Sequence, residues 1–111
     1  MSPSLVENPA SVASVFAALG DRTRLSLLSR LCDGRSLSIT ELTQDTGVTR
    51  QGISKHLKVL EDSGVVSRER VGRESRYVIR ADSLVEAKRY LERASRQWDD
   101  AIVRLQKLVD D

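Results

Sequence analysis

Apolar residues recur every three or four positions along most of the chain, and this spacing predicts helices. A first helix is predicted over about residues 9–19, with Asn8 as its N-cap and Gly20 as its end. Asp21 is predicted to cap a second helix that stops at Gly34. The inward-facing side chains of this second helix are predicted to be Leu25, Leu28, Leu31 and Cys32.

The middle of the chain predicts a helix-turn-helix. Residues 38–41 read Ser-Ile-Thr-Glu, the pattern of a capping box, and predict a short third helix that Gly47 ends after Thr46. Thr49 is predicted to cap a fourth helix that stops at Gly64. Two short helices joined by a tight turn form a helix-turn-helix. The apolar face of the fourth helix consists of Ile53, Leu57 and Leu60.

After Gly64 the pattern changes to that of β-strands. Residues 65–70 and 75–80 are β-prone runs on either side of a turn that contains Gly72, which predicts a hairpin. A hairpin directly after a helix-turn-helix makes a winged helix. The predicted fold is therefore mainly α with a small β-hairpin. We expect four helices, the hairpin and a fifth helix in one winged helix-turn-helix domain over residues 1–111.

The C-terminal segment has the most regular pattern. Ser83 and Glu86 form a second capping-box pattern, and a helix is predicted over about residues 84–109. Its apolar residues alternate between spacings of three and four, a heptad repeat that favours a dimer interface. The alternative is a helix that only covers the core of its own domain. The predicted interface residues on this helix are Leu84, Leu91, Ala94, Trp98, Ala101, Leu105 and Leu108.

Composition excludes several classes of protein. A chain of 111 residues has room for one small domain, and its longest apolar run of five residues is too short to cross a membrane. The N-terminal segment lacks the basic and apolar blocks of a signal peptide, which favours a cytoplasmic location. One cysteine and one histidine leave little for a metal site or for catalysis. We therefore expect no metal, no cofactor, no membrane partner and no enzymatic activity.

Charge is distributed unevenly along the chain. Residues 50–80 carry eight Lys and Arg against four Asp and Glu, whereas each flank has one more acidic than basic residue. A basic middle predicts an anionic partner, and double-stranded DNA fits the helix-turn-helix. On the fourth helix, Arg50 is suited to guanine, Gln51 to adenine, and Ser54 to a base or a phosphate. Thr49, Lys55 and Lys58 are suited to phosphates. The alternative is an ordinary solvated helix face.

The hairpin and two single residues add candidates. Arg68, Arg73 and Arg76 on the hairpin are predicted DNA contacts, with Arg73 at the tip near a minor groove. The alternative for Arg68 and Arg76 is that they are solubilising charges at the edge of the sheet. His56 either donates to a phosphate or packs beside Leu60 and the wing. Gly52 is unusual inside a helix, which indicates either a close approach to DNA or to the third helix, or simple tolerance.

The chain resembles the ArsR (arsenic-repressor-like) family of bacterial winged-helix regulators from about Val12 to Leu108. The resemblance rests mainly on residues 18–24, Ala-Leu-Gly-Asp-Arg-Thr-Arg, and on residues 48–61, which contain Ser54-Lys55-His56-Leu57. It implies a homodimer joined through the first and last helices, which adds Val12 and Phe16 to the expected interface. It also implies a repressor that binds an imperfect inverted repeat in a promoter.

Many members of that family respond to metals, but the known ligand positions are changed in this chain. One family site uses a Cys-x-Cys pair where this chain has Ser38 and Thr40. Another uses His and carboxylate ligands on the last helix, and here no His follows position 56. The resemblance is therefore to the branch without metal ligands, and no inducer is indicated. Two alternatives remain open. The domain could be a protein–protein interaction module, or Cys32 could act as a thiol switch in the repressor rather than as a buried structural thiol.

Overall fold

The computed structural model describes residues 9–110, so the predicted N-cap Asn8 lies outside the described residues. Within that range the chain forms a winged helix-turn-helix, which confirms the predicted fold. The helices and strands are α1 Pro9–Leu19, α2 Arg22–Leu31, β1 Leu37–Ser38, α3 Ile39–Thr43, α4 Arg50–Asp62, β2 Val66–Val71, β3 Glu74–Ile79 and α5 Ala81–Asp110.

Three predicted helix starts are confirmed by their hydrogen bonds. The Asp21 carboxylate accepts a bond from the Arg24 backbone N–H at 3.1 Å, and Thr49 Oγ1 accepts one from the Gly52 N–H at 3.0 Å. Ser38 and Glu41 form the complete capping box. The Glu41 N–H donates to Ser38 Oγ at 3.1 Å, and the Ser38 N–H donates to Glu41 Oε1 at 2.8 Å. These bonds satisfy N–H groups that have no partner inside the helix.

Two predicted helix boundaries are wrong. Helix α3 ends at Thr43 rather than at Thr46, because a turn with left-handed backbone at Asp45 (φ 62°) and Gly47 (φ 71°) follows it. The predicted Ser83–Glu86 capping box does not mark the start of α5, which begins earlier, at Ala81. Strand β3 runs directly into this helix, and the Arg80 N–H donates to the Val65 carbonyl at 2.8 Å at the junction.

The wing belongs to a three-stranded antiparallel sheet in the order β1-β3-β2. Strands β2 and β3 form the predicted hairpin, with Val71 opposite Glu74 next to the turn. Strand β1 was not predicted. It pairs Leu37 with Tyr77 and Ser38 with Arg76, and so attaches the wing to the start of α3.

The core is formed where α1, α2 and α4 pack against the base of the sheet. Predicted inward residues Leu28, Leu31, Ile53, Leu57 and Leu60 are buried. Two predictions on α2 are wrong, since Leu25 is 50% exposed and Cys32 is exposed, while Leu27 is fully buried. The reason is geometric. The buried arc of α2 is centred between Leu27 and Leu28, and Cys32 is the C-cap at which the chain leaves the helix.

Helix α5 packs against α1 with only part of its apolar stripe. Its Ala87 and Ala94 are buried, and the rings of Phe16 and Tyr90 lie 5.9 Å apart between centroids. Val12 and Ala94, which are predicted interface residues, are already buried within the single subunit. The physical reason is that small side chains let α1 and α5 approach closely. None of the described helices is long and apolar enough to cross a membrane.

The rest of the α5 stripe is exposed, and exposure increases toward its C-terminal end. The side chains of Leu91 and Trp98 are 42% and 53% exposed, and those of Leu105 and Leu108 are 60% and 73% exposed. Phe16, Leu84 and Ala101 are half-buried. Such a row of exposed apolar residues is typical of an interaction surface.

Candidate nucleic-acid interface

The opening turns of α4 present polar side chains to solvent while the opposite face is buried. Ile53, Leu57 and Leu60 are fully buried, and this fixes how the helix is rotated about its axis. That rotation leaves the predicted contact residues on the outside, as a DNA-reading helix requires. The exposed residues are Thr49, Arg50, Gln51, Ser54, Lys55 and Lys58.

The structure explains the glycine inside α4. A Cβ atom at Gly52 would lie 2.8 Å from Val48 Cγ1 and 3.2 Å from Thr49 Oγ1. The close approach is therefore to the turn before the helix. Because carbon atoms prefer to be ~3.5–4.0 Å apart, a side chain at position 52 would have to displace Val48.

An open cleft separates the start of α4 from the wing. Its volume is about 270 Å³, and the start of α3 forms the third side. Arg50 Nη1 donates to Thr40 Oγ1 across this cleft at 3.0 Å. The cleft thus brings cations from two distant segments of the sequence onto one surface. The basic residues that line the cleft are Arg50, Arg68 and Arg73, and the lining also includes the hydroxyl of Ser54 and the carboxylate of Glu74.

The wing places one arginine at its turn. Gly72 adopts left-handed backbone (φ 65°) between β2 and β3, and the exposed Arg73 follows it. Arg68 lies nearer the base of the wing, with its Nε 3.9 Å from a Glu61 carboxylate oxygen. Arg73 makes no ion pair within residues 9–110, so its positive charge is available to an anion.

Arg76, a predicted DNA contact, is only partly exposed and is bound on several sides within the subunit. Its guanidinium donates to the hydroxyl and the carbonyl of Ser36 at 3.0 Å and 2.8 Å, to Glu74 at 2.7 Å and to Glu41 at 3.2 Å. Only 23% of the side chain is exposed. The physical reason is the pairing of β1 with β3, which brings Arg76 against the start of α3. Arg76 therefore holds the wing in place.

His56 lies against the junction of α1 and α2, a contact that neither of its two predicted roles named. Its Nδ1 lies 3.1 Å from Arg24 Nη1 and 3.8 Å from an Asp21 carboxylate oxygen, and the side chain is 25% exposed. Arg24 also donates to the carbonyls of Ala17 and Ala18 at the end of α1. The backbone N–H of Arg24, followed by the charge of His56, lowers the pKa of Asp21. His56 therefore joins α4 to the junction between α1 and α2.

The two predicted phosphate-binding lysines differ in their surroundings. Lys58 Nζ lies 3.0 Å from the Asp62 carboxylate one turn further along α4, and this hydrogen bond raises the pKa of Lys58. A phosphate must therefore compete with Asp62 for Lys58. Lys55 is exposed and makes no ion pair among the described residues, so its charge is the more available.

Sequence reasoning missed two residues that hold this surface together. Arg30 on α2 donates to the carbonyls of Glu41, Leu42 and Gln44 at 2.6, 2.9 and 3.2 Å, and so satisfies the carbonyls at the end of α3. Thr40 is the second, through its bond to Arg50. No sequence pattern near Arg30 predicts its bonds to α3, whereas Thr40 lies inside the capping box that the sequence predicted.

The part of the chain described by the structure contains no group of three His, Cys, Asp or Glu side chains that could hold a metal ion. Ser38 instead caps α3, and Thr40 contacts Arg50. The side chains exposed at this surface are cations, hydroxyls and an amide.

Comparisons with known proteins agree with this geometry. A family model described as a helix-turn-helix domain matches residues 19–69. The HTH-type transcriptional regulator YuzN of Bacillus subtilis is 44% identical over a segment that covers 54% of this chain and 72% of the relative. A probable mercury resistance operon repressor of Streptomyces lividans is 38% identical over 65% of this chain, which spans 57% of that relative's length.

A solved structure is similar over almost the whole chain. It is an ArsR-like transcriptional regulator from Rhodococcus sp. RHA1, with 38% sequence identity and a TM-score of 0.73. The similarity covers 92% of this chain and 95% of the other. Together with the helix-turn-helix match and the geometry of α4 and the wing, this places the chain in the ArsR family of winged-helix transcriptional regulators.

Proposed function

We propose that this protein is a homodimeric, sequence-specific repressor that occupies an imperfect inverted repeat in promoter DNA in the cytoplasm. The observation that carries the proposal is the cleft between α4 and the wing, because it joins Arg50 and Ser54 to Arg68 and Arg73 on one exposed surface. Three arginines on one surface beside an exposed helix match a DNA major groove and its flanking phosphates.

Each exposed residue has a distinct proposed role. Arg50 reads guanine and Gln51 reads adenine in the major groove, where a forked donor or an amide forms paired hydrogen bonds. Thr49 and Lys55 bind phosphates beside the groove, and Arg73 binds a minor groove or its phosphates. Ser54 contacts a base or a phosphate from the same face of α4.

The homodimer is supported by the exposed apolar residues of α5. Leu91, Trp98, Leu105 and Leu108 lie on one side of the helix and are 42–73% exposed in the single chain. Covering them with the same helix of a second copy would bury them and produce two-fold symmetry. A two-fold symmetric protein presents two copies of α4, which fits an inverted repeat.

Repression and metal independence rest on different grounds. The mercury resistance relative is named as a repressor, and occupation of a promoter would have that effect here. Metal independence is supported by the residues at the family's ligand positions, where Ser38 caps α3 and Thr40 contacts Arg50. We therefore expect zinc to leave DNA binding unchanged.

The test is fluorescence anisotropy with a labelled duplex from the region upstream of the gene, a scrambled duplex as control, and a salt series. Selective binding with a steep salt dependence supports the proposal, because phosphate contacts release counterions. If the protein binds both duplexes equally weakly, the next experiment is to select bound sequences from a pool of randomised duplexes. Failure to enrich any sequence there contradicts the proposal.

Variants separate the roles of the contact residues. Gln51→Ala should cost ~1–3 kcal/mol on the preferred duplex and little on the scrambled one, because it removes a base contact. Lys55→Ala should weaken both duplexes alike and reduce the salt slope by ~1, because it removes a phosphate contact. Lys107→Ala, at the far end of α5, is the matched control and should change neither. Equal losses for Gln51→Ala and Lys55→Ala on both duplexes would refute these roles.

A protein-interaction module is a second candidate, favoured by the same apolar face of α5. Ile102 and Val109 extend that face to the end of the helix, and they are 50% and 84% exposed. Salt dependence distinguishes the two functions, because an apolar helix interface responds little to salt while a phosphate-binding surface responds strongly.

A further inference from the structure

The hydrogen bond between Arg50 and Thr40 links the two helices of the helix-turn-helix at the edge that faces the cleft. Arg50 lies in the first turn of α4, and Thr40 lies in the first turn of α3, ten positions earlier. Their Nη1 and Oγ1 atoms are 3.0 Å apart, and both residues are exposed. A contact at this place determines how the Arg50 side chain leaves the protein surface.

Thr40 is held firmly enough to act as an anchor. The capping box fixes Ser38 and Glu41 on either side of it, and Ser38 is 4% exposed. Arg76 binds Glu41 at 3.2 Å and ties this turn to β3. The Thr40 hydroxyl therefore has a position set by the sheet as well as by α3.

The chemistry of the contact leaves Arg50 able to bind DNA. A guanidinium has five N–H donors, and the Thr40 hydroxyl occupies one nitrogen. No ion pair to Arg50 occurs among residues 9–110, in contrast to Arg76, whose charge is opposed by Glu41 and Glu74. A neutral hydroxyl orients the side chain without cancelling its positive charge, so the remaining N–H pair stays available for paired hydrogen bonds with guanine.

We propose that Thr40 is a positioning residue for sequence readout, which holds Arg50 so that its unused N–H pair meets a guanine edge. This inference rests on the proposed DNA-binding function and assigns Thr40 a role within it. A flexible arginine would lose rotamer freedom on binding, whereas an oriented one has already lost much of it. Thr40 thus increases the preference for one base pair, while contacts to phosphates stay the same.

The experiment compares Thr40→Val, which keeps the shape and removes the hydroxyl, with Thr40→Ser, which keeps the hydroxyl. The probe is a labelled duplex that the wild-type protein selects from a randomised pool, with a scrambled duplex alongside. Thr40→Val should weaken the selected duplex about three- to tenfold, the range expected for one hydrogen bond, and leave the scrambled duplex and the salt slope unchanged. Thr40→Ser should retain wild-type preference.

Two controls separate positioning from a structural effect. Thr43→Val removes a hydroxyl from the same helix, where it donates to the Ile39 carbonyl, and should not change base preference. In an Arg50→Ala background, Thr40→Val should have no further effect, because its role passes through Arg50. Thr40→Val and Arg50→Ala should both lose sequence preference at the same base pair of the duplex.

Four results would overturn the inference while the proposed DNA-binding function stands. Three of them are equal weakening of both duplexes by Thr40→Val, tighter binding by Thr40→Val, and a full Thr40→Val effect that persists without Arg50. Selective wild-type binding that Thr40→Val leaves unchanged would overturn this inference alone. A wild-type protein that enriches no sequence would instead overturn the proposed DNA-binding function, and this inference with it.

Discussion

Replacing Gly52 by alanine sets two effects in α4 against each other. Inside a helix, alanine is more favourable than glycine by about 1 kcal/mol, because glycine loses more backbone entropy when the helix forms. Against this, the new Cβ would lie 2.8 Å from Val48 Cγ1 and 3.2 Å from the oxygen that caps the helix. Val48 is β-branched, half-buried and packed against the core, so it cannot move aside by rotating a long side chain.

The size of the effect follows from these two contributions. Added atoms in a packed site cost ~1–3 kcal/mol, which exceeds the gain in helix propensity. We therefore expect Gly52→Ala to lower the free energy of unfolding by about 1 kcal/mol, from the difference between overpacking and propensity. If Val48 is first changed to alanine, the closest contact disappears, and Gly52→Ala should then stabilise the protein by up to about 1 kcal/mol.

Urea unfolding at one fixed protein concentration measures all four proteins of this double-mutant cycle. The change in midpoint at constant slope gives each difference in stability, and the expected coupling between positions 48 and 52 is about 2 kcal/mol. Stabilisation by Gly52→Ala in the wild-type background, or a coupling near zero, would refute the packing explanation for this glycine.

Three further predictions concern other parts of the molecule. The Ser38 backbone N–H, followed by the Ser38 hydroxyl and the charge of Arg76, holds the pKa of Glu41 below its ordinary value of 4.5. Ionised Glu41 therefore stabilises the fold above pH 4.5, and this contribution is lost as the pH falls through the lowered pKa. The Glu41→Gln protein should unfold more easily than the wild type at pH 7, and its stability should change less as the pH falls into the acid range. Unfolding followed by circular dichroism measures both differences. Leu105→Asp should weaken self-association at least tenfold in sedimentation, because it places a charge on the apolar side of α5, whereas Val103→Asp on the opposite side should not. Exposed Cys32 permits oxidation, so a thiol switch requires that peroxide changes DNA binding and that Cys32→Ser abolishes the change; the same response in both proteins contradicts it.

Features set by short-range chemistry could be predicted from the sequence. Asp21, Ser38 and Thr49 each cap a helix, because a side-chain oxygen three residues before a backbone N–H forms the same bond in any fold. The hairpin followed from alternation around Gly72. Such signals lie within a few residues, so tertiary packing seldom changes them.

Features that depend on distant contacts were missed or misplaced. Arg76 was indistinguishable from the other wing arginines until β1 paired with β3, a contact between segments almost forty residues apart. His56 likewise meets Arg24 and Asp21 only after α2 packs against α4. The predicted buried face of α2 was rotated slightly from the observed one, and this difference leaves Cys32 exposed to solvent.

The pairing of β1 with β3 divides the wing into a base and a tip with different local stability. At the base, Tyr77 and Arg76 pair with Leu37 and Ser38, so their opening requires the start of α3 to open as well. At the tip, Val71 and Glu74 are opposite each other in the strand pairing, neither is opposite a residue of β1, and both are exposed. Amide hydrogen exchange should therefore be slow at the base and fast at the tip. Insertions beside Gly72 could therefore lengthen the tip of the wing while the strand pairing at its base keeps the same register.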